Sequence, residues 1–184
     1  MALTIFRRRG ETTIGALYGA IVAQARQPVF YADWGVPDTL EGRFEMIVLH
    51  LALVIRRLRH ESAEARKAAQ DLFDAFCTDM DRSLREMGVS DTGVPRQMRR
   101  MGEAFYGRAA AYERGLDAAD QGPLTSAVQR NVFAAEEKND GAAAISLYMR
   151  RVERELARQP VDGLLKGELR LQDLLPSETA LPSA

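Results

Sequence analysis

The sequence predicts an all-α single-domain bundle of six or seven helices, and three observations carry that reading. Apolar residues recur at spacings of three and four in segment after segment. Glycine, proline and side-chain caps punctuate those segments where helices start and stop. One segment, from Thr39 to about Arg59, is apolar nearly all round in its middle, as a helix at the centre of a bundle must be.

The most explicit stretch runs from Glu61 to Leu116. Ala65, Ala69, Leu72, Phe73, Phe76, Cys77, Met80, Leu84 and Met87 form one stripe of a helix whose other face is charged. Gly88 follows the last member, where a helix commonly ends in a left-handed residue, and Val89 is placed to pack back on the final turn. Pro95 suits a first helical position, where no amide donor is missed. Met98, Met101, Phe105, Ala109, Tyr112 and Leu116 then share one side of a second helix, with Gly115 near its end. So short a turn makes the two helices antiparallel neighbours.

Upstream, residues 1–10 read as a flexible basic arm and 11–175 as the folded domain. Thr12 or Thr13 opens a helix that stops near Gln27, ahead of Pro28. Arg7, Arg8 and Arg9 before an apolar stretch resemble an export signal, but Ile14, Leu17, Tyr18, Ile21, Val22 and Ala25 have amphipathic spacing and favour a helix of the domain. Val29 to Asp38 reads as an irregular linker. Its three aromatics, Phe30, Tyr31 and Trp34, either cap the end of the core or anchor a partner. Asp38 and Glu41 sketch a capping box for the central helix, which carries Leu40, Phe44, Ile47, Val48, Leu51, Ile55 and Leu58 on one face.

Beyond Leu116, Gly122 and Pro123 start a helix to about Glu136, and Asp140 caps another to about Gln159, ended by Pro160. Leu164, Leu165, Leu169, Leu171, Leu174 and Leu175 suit a last short packing segment. Residues 176–184 read as a disordered tail.

A formal charge of -1 supplies no bulk attraction to nucleic acid or anionic membrane, and no DNA partner is expected. The longest apolar run, Met46 to Ile55, falls well short of the roughly 20 residues a spanning helix needs. Cys77 is the only cysteine and is expected as an inert core thiol. His50 and His60 lack the spacing of metal ligands, so no metal, cofactor or catalytic residue is assigned. Asp71 and Asp74 echo the D-x-x-D of isoprenoid enzymes, with Asp79 and Asp81 nearby. That reaction needs a second aspartate cluster to hold magnesium around a diphosphate, and none is evident. Two arginine groups are more suggestive: Arg56, Arg57 and Arg59 end the central helix, and Arg96, Arg99, Arg100 and Arg108 follow Pro95. They suit a solvated face, an anionic lipid surface, RNA or an acidic partner.

Several blocks carry a resemblance. Gly35-Val36-Pro37-Asp38-Thr39, Gly42-Arg43-Phe44-Glu45, Phe73-Asp74-Ala75-Phe76, Leu84-Arg85-Glu86-Met87-Gly88-Val89 and Ala104-Phe105-Tyr106-Gly107-Arg108-Ala109 are similar to the ubiquinol-cytochrome c chaperone family in its alphaproteobacterial form. The resemblance implies a non-enzymatic chaperone that binds newly made cytochrome b during assembly of respiratory complex III. Further partners it implies are the ribosome and a small co-chaperone, and it places the protein in the cytoplasm, peripheral at the inner membrane. Its docking groove is expected beside Phe105, Tyr106 and Gly107, edged by Arg43, Glu86 and Arg108, with Tyr31 and Trp34 as further anchors. The rivals are an RNA- or ribosome-binding helical adaptor and, third, the isoprenoid-type enzyme.

Overall fold

The computed structural model describes residues 2–134, 140–171 and 174–175, with side chains from residue 13 onward. Among these residues every regular element is a helix: α1 (Ala2–Ala25), α2 (Pro28–Ala32), α3 (Leu40–Arg59), α4 (Ala63–Glu86), α5 (Val94–Asp117), α6 (Gly122–Val132), α7 (Asp140–Arg158) and α8 (Val161–Leu165). Six are long; α2 and α8 are about one turn each.

Helix α3 is the axis of the bundle. From Glu45 to Val54 every residue is buried, and α1, α4, α5, α6 and α7 pack around it. Thr39 caps it: the backbone is extended there, and the hydroxyl accepts the Gly42 amide at 3.1 Å. Asp38, expected as the cap, instead pairs with Arg43. At Gly42 a Cβ would lie 1.9 Å from the Pro37 carbonyl oxygen, so only glycine lets the incoming chain fold this closely over the first turn.

Helix α4 buries Leu72, Phe76, Met80 and Leu84 as the spacing predicts. Its flanks differ from expectation: Phe73 and Cys77 are half-buried, and Met87 is 52% exposed. Burial and the nearby Asp74 carboxylate push the Cys77 thiol up, which keeps it protonated and inert. The helix ends as read. Gly88 has φ +84°, its amide donates to the Arg85 carbonyl, and Val89 donates to Leu84, the paired bonds of a Schellman turn. Leu84 and Val94 are buried at this tip, apart from the main core.

The departures lie mostly at element ends. Helix α1 runs back to Ala2 through the stretch expected as a basic arm, since no proline interrupts it. Between Pro28 and Ala32 the expected linker is helical: extended Gln27 lets Pro28 restart a helix after stopping one. Helix α6 stops at Val132, four residues early, and residues 135–139 and the 176–184 tail lie outside the described residues. Near the chain's end α8 closes on Gly167, with φ +85°. Leu164, Leu169 and Leu171 pack inward there, while Leu174 and Leu175 pack at its edge.

Candidate functional site

Three helices build an aromatic column that runs from the core to the surface. Phe44 on α3 lies 6.0 Å from Phe76 on α4, and Phe76 lies 5.9 Å from Phe105 on α5. Phe73 joins them to the outside, 4.9 Å from Phe105 and 5.3 Å from Tyr106. Such tilted ring pairs are worth about 0.5 to 1.5 kcal/mol each beyond their burial, which ties α3, α4 and α5 together along the column. Its outer end is unusual for so large a ring: Tyr106 is 60% exposed. Beside it, a Cβ on Gly102 or Gly107 would meet nothing within 4 Å, which leaves an open, shallow surface along α5.

Under the column sits a charged pair. Arg108 donates from Nε and one Nη to the two oxygens of Glu45, each at 2.5 Å, and Glu45 is almost fully buried. Burial raises the Glu45 carboxyl above its ordinary value in spite of the guanidinium. A bidentate tie of this kind fixes α3 against α5.

The residues assigned to the groove from sequence do not all meet. Tyr106 and Gly107 lie together on the surface, next to Phe73. Phe105 is core, and Arg108 is consumed by Glu45. Arg43 stands two residues from Glu45, about 200° around the helix, and pairs with Asp38 instead. Glu86 is thirteen residues beyond Phe73 on α4, about 20 Å along the axis. Tyr31 and Trp34 belong to another cluster: Tyr31 donates its hydroxyl to the Ala25 carbonyl, and Trp34 sets its edge against Phe30 and Tyr148. Of the residues expected to form the groove, Tyr106 and Gly107 alone share this surface, with Phe73 beside Tyr106.

The second cluster is polar within: Gln24, His50 and Tyr148 are buried beneath the half-buried Tyr31 and Trp34. Gln24 donates to the Tyr148 hydroxyl at 3.0 Å and reaches the Leu171 carbonyl at 3.5 Å. His50 Nδ1 lies 2.7 Å from the Met46 carbonyl, which can only accept, so Nε2 takes the Tyr148 proton at 2.8 Å. Burial drives the imidazole down to about 4, leaving it neutral. With Gln24, His50 and Tyr148 all buried and each hydrogen-bonded, this is a core network.

The two arginine groups meet opposite fates. Arg56 reaches Glu113, Asp117 and Glu153 at 3.1, 2.6 and 3.2 Å, and Arg59 also pairs with Glu113. Arg57 holds Glu61 and donates to the Leu156 carbonyl at 2.8 Å. Arg56, Arg57, Glu61 and Glu153 line a groove of about 300 Å³ between α3 and α7, but their charge is already spent on one another and on Glu113 and Asp117. On α5 the group divides: Arg108 is held by Glu45, Arg99 reaches Glu103 at 3.9 Å, and among the described residues Arg96 and Arg100 make no ion pair.

The aspartates of α4 find their partners on α4 itself or on the neighbouring α1. Asp71 takes Lys67, Asp74 accepts from Gln70, and Asp79 accepts from Tyr18 and Arg82. Among the described residues no three His, Cys, Asp or Glu side chains gather around a metal position. Nor is any helix there long and apolar enough to cross a membrane.

Sequence reasoning missed two ties. Glu45 was legible in principle, because a carboxylate inside an apolar run needs a cation. Arg150 had no local signal. Its guanidinium caps the end of α5, donating to the carbonyls of Gly115, Leu116, Ala118 and Asp120 at 3.0 to 3.1 Å.

Comparison with known proteins adds the family. A family model described as ubiquinol-cytochrome C chaperone matches residues 32–171. A crystal structure described as the Cbp3 homolog from Brucella abortus superposes with a TM-score of 0.84 at 37% identity, covering 95% of this chain and 98% of that one. The ubiquinol-cytochrome-c reductase complex assembly factor 1 of Xenopus laevis is 24% identical over 157 residues, 83% of this chain and 77% of its own. The mouse protein of that name is 23% identical over 163 residues, 86% of this chain, and the chain spans 54% of its length.

Proposed function

The chain belongs to the ubiquinol-cytochrome C chaperone family, whose relatives are assembly factors of ubiquinol-cytochrome c reductase, and from that premise we propose that it binds newly made cytochrome b during assembly of this complex. It works by binding, without catalysis. The observation that supports the docking site is the exposed Tyr106 at the outer end of an aromatic column anchored in the core. A rigid aromatic held half out of the protein costs little entropy to dock against, and such residues dominate binding hot spots. Covering Tyr106 removes roughly 120 Å² from water, worth about 3 kcal/mol at about 25 cal/mol per Å². Gly102 and Gly107 let the partner backbone come close.

Two arms test the reading. Tagged wild-type protein is recovered from solubilised membranes of its own organism, and cytochrome b is quantified by its haem spectrum and by immunoblot. Cytochrome b co-purifies with wild type, and Tyr106→Ala lowers the recovered amount about tenfold while circular dichroism is unchanged. Arg108 is unsuitable for this purpose, because changing it strands Glu45. In a deletion strain, b-type haem of the membranes falls selectively. Unaltered b-type haem, or wild-type protein free of cytochrome b, rejects the function.

A further inference from the structure

The start of α1 carries a charge that the rest of the chain does not share. Residues 2–12 hold three of the 25 lysines and arginines and one of the 26 carboxylates, which leaves the remainder of the chain net negative. Arg7, Arg8 and Arg9 are the only run of three consecutive cations in the sequence, and before Asp33 the single carboxylate is Glu11. Just ahead of the run stand Leu3, Ile5 and Phe6, and no charged residue falls between Ala2 and Phe6. The client site proposed above uses none of these residues.

The fold gives this order a geometry. Helix α1 is unbroken from Ala2 to Ala25, and its second half is fixed to the bundle: Leu17, Ile21 and Ala25 are buried, and Tyr18 donates to Asp79 of α4 at 3.0 Å. The closing turn of α8 meets the same helix at Thr13 and Ala16, where a Cβ on Gly167 would lie 3.0 Å from the Thr13 carbonyl oxygen and from the Ala16 Cβ. At about 1.5 Å per residue, residues 2–9 follow about 6 to 16 Å farther along that axis. Consecutive positions are about 100° apart, so the three arginines occupy more than half the helix circumference, and the apolar turn is centred about 5 Å beyond them. An apolar turn outside a ring of cations matches the layering of an anionic bilayer, whose phosphates lie over the boundary with the acyl chains. A polynucleotide pairs with the arginines but has no use for Leu3 and Ile5. The contact is a surface one, since no helix among the described residues is long and apolar enough to cross a membrane.

We propose that residues 2–9 of α1 bind the protein to an anionic lipid surface, with Arg7, Arg8 and Arg9 serving the lipid phosphates and Leu3, Ile5 and Phe6 the acyl boundary. The net-negative remainder of the chain is repelled by such a surface, so the bound protein is oriented with the start of α1 toward the bilayer.

The test floats the full chain with vesicles of phosphatidylglycerol mixed into phosphatidylcholine, and with vesicles of phosphatidylcholine alone. Wild type binds the mixed vesicles and leaves the neutral ones, and added salt weakens the binding. Arg7→Gln/Arg8→Gln/Arg9→Gln lowers the affinity about a hundredfold, at roughly fivefold per arginine. Leu3→Ser/Ile5→Ser/Phe6→Ser lowers it about tenfold or more. The same loss of charge on another helix, Arg96→Gln/Arg99→Gln/Arg100→Gln, changes it less than about threefold, because those charges stand more than a screening length from the bilayer. Circular dichroism checks that each variant is folded. Wild type that ignores the mixed vesicles overturns the proposal, and this outcome needs no variant. Equal loss from the two arginine triples overturns it too, as does binding to a single-stranded RNA of mixed sequence that is tighter than to the vesicles and lost with Arg7, Arg8 and Arg9. Vesicle binding needs no client, so recovery of cytochrome b can fail while this result stands, and the reverse.

Discussion

The arginines at the end of α3 and those at the start of α5 look alike in sequence, yet the fold treats them in opposite ways. Arg56, Arg57 and Arg59 leave a central helix and meet carboxylates and carbonyls from α5 and α7, so they act as internal ties. Arg96, Arg99 and Arg100 sit on a peripheral hairpin, and no neighbouring helix faces them. What separates them is position. A cation that points between helices must find partners to be buried at all; one that points outward is free for a second molecule.

The difference can be broken most severely where a cation is most enclosed. Arg108→Ala leaves Glu45 buried without its bidentate partner and should cost about 3 to 5 kcal/mol, read as a lowered urea midpoint at unchanged slope. A pH titration comes next. His50 titrates near 6.5 unfolded but at about 4 in the fold, so between those values only the unfolded chain binds the proton. Stability is therefore flat above pH 6.5 and falls as pH drops toward 4, by at most about 3 kcal/mol, and His50→Gln should flatten that limb. Arg56→Ala is smaller, about 1 to 2 kcal/mol, because water still reaches the three carboxylates it leaves behind; thermal unfolding in low and high salt measures it. At the gentle end, Arg96→Gln/Arg100→Gln should change stability by no more than about 0.5 kcal/mol, and upward, since it relieves the helix dipole. A clear loss of stability there would mean that these arginines hold the fold.

Periodicity made the helices legible because burial imposes it. The middle of α3 is apolar all round because it touches helices on every side, and the Gly88 turn is written in a residue that only one backbone shape demands. Element ends were harder, since they answer to single hydrogen bonds: Thr39 takes the cap that Asp38 was equally suited to take. For the site, the exposed aromatic and the α5 arginines were visible as residue types. Their neighbours were not, because pairing is decided by angle about a helix and by which helix lies opposite. Glu45 and Arg43 are two residues apart and face different partners. Arg150 shows the limit: it caps a helix thirty residues earlier in the chain, which no local pattern encodes.

Tyr148 carries one more consequence. Gln24 touches both its hydroxyl and the Leu171 carbonyl, so early and late parts of the chain converge on one interior point. A polypeptide made from its amino end cannot complete that knot until residue 171 is available. Until then α1 lacks its final partner, so the first helix of the chain waits on one of its last described residues to be fixed in place.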